Sequence, residues 1–489
     1  MNKFFLCFFI LCCCTCNNAK AQAKAGLIDK LMKQYAANEQ FNGVILVAEK
    51  GNIIYEKACG LADREWNTKN ATDTKFEIAS ITKTFTALMI MQLAESGSIK
   101  LTGNISDYIK DYPSANGSKI TITQLLTHSS GLQTDIADFP TNGNNFPDIA
   151  AKINEDFLSI AEQVTLIAKR PLLFEPGTGF NYSSDGYTIL GRIIETICNK
   201  SYEAVLDSLL LKPLQLSHTG YKDHYAIIGK RATGYVETFL GYKKARQFGI
   251  APSGGIFSTA ADLLKWEQAL YTDKVITQRY KDIIFSKTPF VTGNGWKVNE
   301  NFFNTRSADS IKVVKCTGAL PGFNSLVVRF LRDNKTIILL ENERQITYKQ
   351  DEIVGTLGNI LYNKPYTPPK RSLAKAMVNR LQTAGNEQAM NLYRSFKNNA
   401  ASYYLKESEI NDVGYFILFN LHKKDVALEF FKINTIEFPN SANAFDSLGE
   451  AYMENGDNKN AIVNYKKSLE LDPGNDNAKR MIEKLGSDK

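Results

Sequence analysis

The sequence predicts an α/β domain, with an antiparallel sheet, flanking helices and a mainly helical inserted region, followed by an α-helical domain. Two strand-turn-strand patterns far apart in the chain, helical periodicity between them, and a proline-rich break before a purely helical stretch carry this prediction. Gly43-Val-Ile-Leu-Val47, the turn Lys50-Gly51-Asn52 and Ile53-Ile-Tyr55 form the first hairpin, after Leu27, Ile28, Leu31, Met32 and Tyr35 at helical spacing. Leu326-Val-Val-Arg-Phe330, Arg332-Asp333-Asn334 and Thr336-Ile-Ile-Leu-Leu340 form the second, and a helical pattern from Asp351 to Tyr362 follows. Helical spacing dominates between them, as from Tyr187 to Cys198 and from Thr259 to Tyr271, so one sheet takes strands from both ends of the domain.

Composition narrows the function classes. The 489 residues are 44% hydrophobic and 22% charged, which suits two or three globular domains and excludes disorder. A net charge of +7, with no basic block interleaved with aromatics, argues against a nucleic-acid partner. The start, Met1-Asn-Lys-Phe-Phe-Leu-Cys-Phe-Phe-Ile-Leu-Cys-Cys-Cys14, sets one positive charge before an apolar run too short to span a bilayer. With Ala19-Lys20-Ala21-Gln22 behind it, residues 1–21 read as a secretory signal peptide cleaved after Ala21, which implies a secreted, periplasmic protein. A lipoprotein anchored through Cys14 or Cys16 is the weaker rival, because the residues before each fit a lipobox poorly.

Five of the eight cysteines lie in this leader, leaving Cys59, Cys198 and Cys316 and excluding a disulfide scaffold. His128, His218, His224 and His422 lack zinc-site spacing, so neither a metal nor another cofactor is expected. No later segment reads as a membrane span.

Three prolines in Asn363-Lys-Pro-Tyr-Thr-Pro-Pro-Lys-Arg371 remove backbone donors and restrict their neighbours. The reading is a domain over 22–362, a linker over 363–371 and a helical domain over 372–489. Within the last, Phe445, Leu448, Gly449, Tyr452, Ala461, Tyr465 and Pro473 resemble a tetratricopeptide repeat over 442–475, with Ser468 at a usual alanine position. Ala427, Phe431 and Pro439 mark a degenerate repeat over 408–441, in which Gly414 and Tyr415 stand for the Leu-Gly pair. The stretch from Ser372 to Asn399, with Ala389 and Tyr393, would begin the stack. Such repeats imply a protein partner without naming it.

The chemistry begins at Phe76-Glu-Ile-Ala-Ser80-Ile-Thr-Lys83, where S-x-x-K opens a strongly apolar helix ended by Gly97. Ser80 and Lys83 share a helix face. A serine hydroxyl is a poor nucleophile at neutral pH, and a lysine one turn on can take its proton where the surroundings favour the neutral amine. The helix N-terminus also favours negative charge developing there.

Four further segments stand in order behind it: Ile120-Thr-Ile-Thr-Gln-Leu-Leu-Thr-His128-Ser-Ser-Gly-Leu132, Glu175-Pro-Gly-Thr-Gly-Phe-Asn-Tyr182-Ser-Ser-Asp-Gly-Tyr187, Pro252-Ser-Gly-Gly-Ile-Phe-Ser-Thr259 and Cys316-Thr-Gly318-Ala-Leu-Pro-Gly-Phe323. Together the five resemble the serine β-lactamase family of the class C and DD-peptidase type over residues 27 to 362. The resemblance implies a β-lactamase/transpeptidase-like fold and a serine hydrolase of the penicillin-binding-protein type. Ser80 would be acylated, Lys83 would be its proton partner, and Tyr182 the second acid or base, with the order of proton transfer between Lys83 and Tyr182 left open. The backbone N–H groups of Ser80 and Ala319 would form the oxyanion hole. Ser184, Cys316, Thr317 and Gly318 would contact substrate from the second motif and an edge strand.

Two departures bear on substrate. Ser184 replaces a frequent asparagine, a shorter group with no amide. Cys316 replaces the Lys or His of K-T-G or H-x-G, which helps hold a substrate carboxylate, while Lys315 should point to the opposite strand face. Expected substrates are therefore D-amino-acid peptides, other small peptides, amides or esters; the alternatives are a true β-lactamase and a catalytically silent binder of cell-wall fragments. His128 reads as a structural residue at a helix-loop junction, Cys316 as a small strand residue rather than a second nucleophile, and Tyr187, Trp266 and Gly254-Gly255 as packing and turn positions.

Overall fold

Positive φ at both Lys50 (52°) and Gly51 (75°) closes the first hairpin, a backbone twist that matches right-twisted strands. From this turn run β1 (Gly43–Glu49) and β2 (Asn52–Cys59), antiparallel with Gly43 opposite Cys59. The protein is seen here as a computed structural model that describes residues 21–133, 158–221, 226–245, 251–286, 293–299, 302, 311–345, 349–396 and 401–487. His224 and the leader, Ala21 excepted, lie outside the described residues.

The chain forms two units, one comprising the chain up to Glu237 with Tyr242–Thr367, the other Thr238–Gly241 with Pro368–Lys489. In the first, β3 (Lys297–Asn299), β4 (Val313–Leu320), β5 (Phe323–Phe330) and β6 (Lys335–Glu341) join the hairpin in the order β3-β4-β5-β6-β1-β2, antiparallel throughout. As the sequence predicts, strands from both ends meet: Gly43 lies opposite Glu341.

Strand alternation divides the core. Val44, Leu46, Val327, Ile338 and Leu340 face one apolar cluster, whereas Ile45, Val47, Leu326, Val328, Ile337 and Leu339 face the other. The second cluster is covered by Ile28, Leu31 and Tyr35 of α1 (21–37) and by the last helix of the unit. Over the first lies the helical region, with α2 (Thr82–Glu95), α3 (Ile122–Leu126), α4 (Ser184–Cys198) and α5 (Ala260–Ala269); α6 (Gln350–Leu361) is the closing helix. All of α2 except Gln92 and Glu95 is buried, as expected for a helix apolar on every side.

From Pro368 onward the described residues of the second unit are helices and their connections, apart from the two-residue strand Tyr403–Tyr404 and its partner Arg371–Ser372. What the sequence presents as one helical stretch after Ser372 is two helices, α7 (Leu373–Ala384) and α8 (Asn386–Phe396), because Gly385 takes φ 91° between them. Then come α9 (Glu407–Tyr415), α10 (Lys424–Glu437), α11 (Ala442–Glu454), α12 (Asn458–Leu471) and α13 (Asp476–Ser487). A Cβ on Gly449 would stand 3.0 Å from the Tyr465 ring, and one on Gly414 would stand 2.7 Å from Phe431. Gly414 therefore does in α9 what Gly449 does in α11, one position off the register read from sequence. A π-helical turn over Phe416–Asn420 takes up the extra residue.

Candidate active site

The turn that carries Ser80 is strained. Ala79 takes φ 49°, which costs a residue with a Cβ about 1–3 kcal/mol, and a 3₁₀ turn over Ala79–Ile81 leads into α2. Ser80 thus precedes the α-helix proper instead of opening it. Gly318 of β4 holds this turn from the other side: a Cβ there would lie 2.1 Å from the Ile78 carbonyl oxygen and 3.0 Å from the Ala79 Cβ. From β5, Ser325 Oγ donates to the same Ile78 oxygen at 2.7 Å.

Three side chains converge on the hydroxyl. Lys83, 2% exposed, donates from Nζ to Ser80 Oγ at 3.1 Å, to Ser184 Oγ at 2.9 Å and to the Ser253 carbonyl at 3.1 Å. Tyr182 donates from its hydroxyl to Ser80 Oγ at 3.0 Å. Ser184, the first residue of α4, thereby reaches Lys83 despite being shorter than asparagine. A cavity of about 70 Å³ opens over the group, and Thr317, Lys297 and Gly295 are among the residues lining it.

The strand beside the cavity is an edge over only part of its length, because β3 pairs Lys297 with Lys315 and Asn299 with Val313, leaving Cys316 onward without a strand partner on that side among the described residues. Along β4 burial alternates: Cys316 and Gly318 are buried, Thr317 and Ala319 exposed. Lys315 donates to Asp351 of α6 at 2.9 Å. Cys316 touches the cavity but is 3% exposed, and burial pushes its thiol pKa well up, which disfavours the nucleophilic thiolate.

The family model described as Beta-lactamase matches residues 28–353, two thirds of the chain. The chain belongs to the β-lactamase family. It is a serine hydrolase of that family, and its fold is the family's. It is 28% identical over 377 residues to penicillin-binding protein 4* of Bacillus subtilis, covering 72% of this chain and 80% of that protein. Among solved structures it resembles the D-amino acid amidase of Ochrobactrum anthropi SV3, at a TM-score of 0.57 and 21% identity, over 71% of this chain and 99% of that one. EstCE1, described as a hydrolase with promiscuous acyltransferase activity, gives a TM-score of 0.59 at 20% identity over 70% and 99%.

Other residues of this β-lactamase-family chain fall into place around the trio. Tyr187 is buried and donates to the Leu126 carbonyl at 3.0 Å; Trp266 stacks on Phe85 at 4.5 Å and on Trp296 at 5.6 Å. His128 packs against Tyr182 without bonding Ser80, and burial, with the charge of Lys83, lowers its pKa to about 3. Sequence reasoning missed the Ser253 carbonyl, which carries no side-chain signal. It also missed Lys297, whose place beside Lys315 depends on strand register. Cys59, Cys198 and Cys316 are free thiols. No helix among the described residues is long and apolar enough to cross a membrane.

Proposed function

We propose that this hydrolase cleaves amide or ester bonds of small acyl compounds, D-amino-acid peptides among them, through a covalent intermediate on Ser80. The observation that carries the reading is that Ser80 Oγ accepts hydrogen bonds from both Lys83 and Tyr182. Ser80 Oγ bonds to the substrate carbonyl carbon as its proton passes to whichever of Lys83 and Tyr182 has given up its own proton and so can accept one. The carbonyl oxygen becomes an oxyanion held by the backbone N–H groups of Ser80 and Ala319. The C–N or C–O bond then breaks, the leaving group takes a proton from the same pair, and water releases the acyl group by the reverse path. The likeness to a D-amino acid amidase and to an acyl-transferring hydrolase supports small amides and esters as substrates.

In this reading Thr317 and Gly318 contact the substrate, and Ser184 orients Lys83. The protein acts outside the cytoplasm, after removal of the leader, and the helical unit docks a protein partner through tetratricopeptide-like helix pairs. Labelling with a neutral fluorophosphonate, followed by peptide mapping, tests the chemistry: the label is expected on Ser80 and lost in Ser80→Ala. Labelling that survives this substitution overturns the reading.

A further inference from the structure

Tyr182 lies in a stretch with neither helix nor strand, just before α4, so no regular backbone ladder orients its ring. One residue grips it on three sides. The His128 carbonyl accepts the N–H of Asn181 at 3.0 Å, His128 Nδ1 accepts the N–H of Ser183 at 3.2 Å, and the imidazole lies against the phenol with ring centroids 4.4 Å apart at 31°. His128 is itself fixed. It is 1% exposed, takes φ 58° beyond α3, and has the Tyr187 ring 5.4 Å away on α4.

We infer that His128 is a positioning residue, whose Nδ1 acceptor and ring face hold the Tyr182 hydroxyl on Ser80 for proton transfer. The inference rests on the acyl-transfer reading of Ser80 and Tyr182. Nδ1 can accept the Ser183 N–H only while it carries no proton of its own, so the neutral ring bears its hydrogen on Nε2. An imidazolium would set two donors against each other and release the backbone on the C-terminal side of Tyr182. The burial that keeps the ring neutral therefore also keeps the clamp closed. A side chain that only filled space would need no acceptor at this atom, and a general base for Ser80 would need a bond to its hydroxyl. The geometry has the first and lacks the second.

Two substitutions separate ring from acceptor. His128→Phe keeps an aromatic face and loses the acceptor; His128→Asn offers Oδ1 where Nδ1 stood, and asparagine tolerates positive φ. The measurement is the rate of Ser80 labelling by a neutral fluorophosphonate, with kcat and KM for a neutral ester, in each variant alone and combined with Tyr182→Phe. His128→Phe is expected to lower the labelling rate and kcat about 10- to 100-fold with KM little changed, the scale of acid-base assistance. His128→Asn is expected to recover most of that loss. In the Tyr182→Phe background His128→Phe should add almost nothing, since residues that act through one another are non-additive. A full additional loss there, or His128→Asn as slow as His128→Phe, overturns the positioning role. A Tyr182→Phe protein that labels at the normal rate overturns the underlying reading as well, so the two failures are told apart. Circular dichroism of each variant shows whether it is folded, and if His128→Phe is not, the comparison of His128→Asn in the two backgrounds decides.

Discussion

Ala79 and Gly318 show how little freedom Ser80 has. The left-handed Ala79 aims Ser80 out of the chain path, and the missing side chain of Gly318 lets β4 come against the Ile78 carbonyl. Gly318→Ala puts a carbon 2.1 Å from that backbone oxygen, so the turn must move. Because a displacement of ~1 Å at a reacting group can cost 10²-fold, labelling of Ser80 is expected to slow by about that factor while circular dichroism stays native. At this scale the sequence was most informative about side chains: Ser80 and Lys83, one helical turn apart, and Tyr182, 102 residues beyond Ser80, meet within hydrogen-bond distance. It was silent about backbone groups such as the Ser253 carbonyl, since any residue type offers the same oxygen.

Strand register decides which charge faces the cavity. Along β4 Cys316 is neutral, and Lys315, which lines the cavity rather than turning away from it as alternation alone suggests, is paired with Asp351. The neighbouring β3 supplies another cation. Lys297 stands opposite Lys315, lines the cavity, is exposed, and has no ion-pair partner among the described residues. Thr317, two residues further along β4, is its diagonal neighbour, a separation that a lysine side chain can bridge. Lys297→Ala is therefore expected to lower kcat/KM for a carboxylate-bearing substrate roughly 10- to 100-fold, the worth of one charge-assisted hydrogen bond, and to leave a neutral ester unchanged. Paired assays on the two substrates check it, and an equal fall in both would show a structural effect. The helices carry a parallel lesson about register. Periodicity places α9 to α12, but the π-helical turn after α9 slips the pattern by one, and Gly414 reveals its role only through the aromatic ring it meets. Both cases need knowledge of pairing between elements, which a linear pattern does not contain.

For the molecule as a whole, a buried carboxyl at the end of β6 sets a pH dependence. Burial pushes the Glu341 carboxyl from 4.5 up to about 8, even though Gln350 donates to it at 2.6 Å, and Glu343 nearby adds repulsion. Between these two values the native state keeps a proton that the unfolded chain has released, so this contribution to stability is full below pH 4.5 and is lost as pH rises to about 8. Glu341→Gln should remove that part of the pH dependence, and thermal unfolding followed by circular dichroism at pH 5, 6.5 and 8.5 measures it. The division into units leads to a second outcome: a chain ending at Thr367 is expected to label on Ser80 at the full-length rate, and a folded but unreactive product would assign the helical unit a part in shaping the site. The strand order has a consequence in time. β1 can pair with β2 at once, yet its other partner β6 comes almost at the end of the unit, so one edge of the hairpin waits unpaired through most of its synthesis. Each helix pair of the second unit, by contrast, finds its partner within a few dozen residues. The sheet of the first unit can therefore be completed only after its last strands have been made.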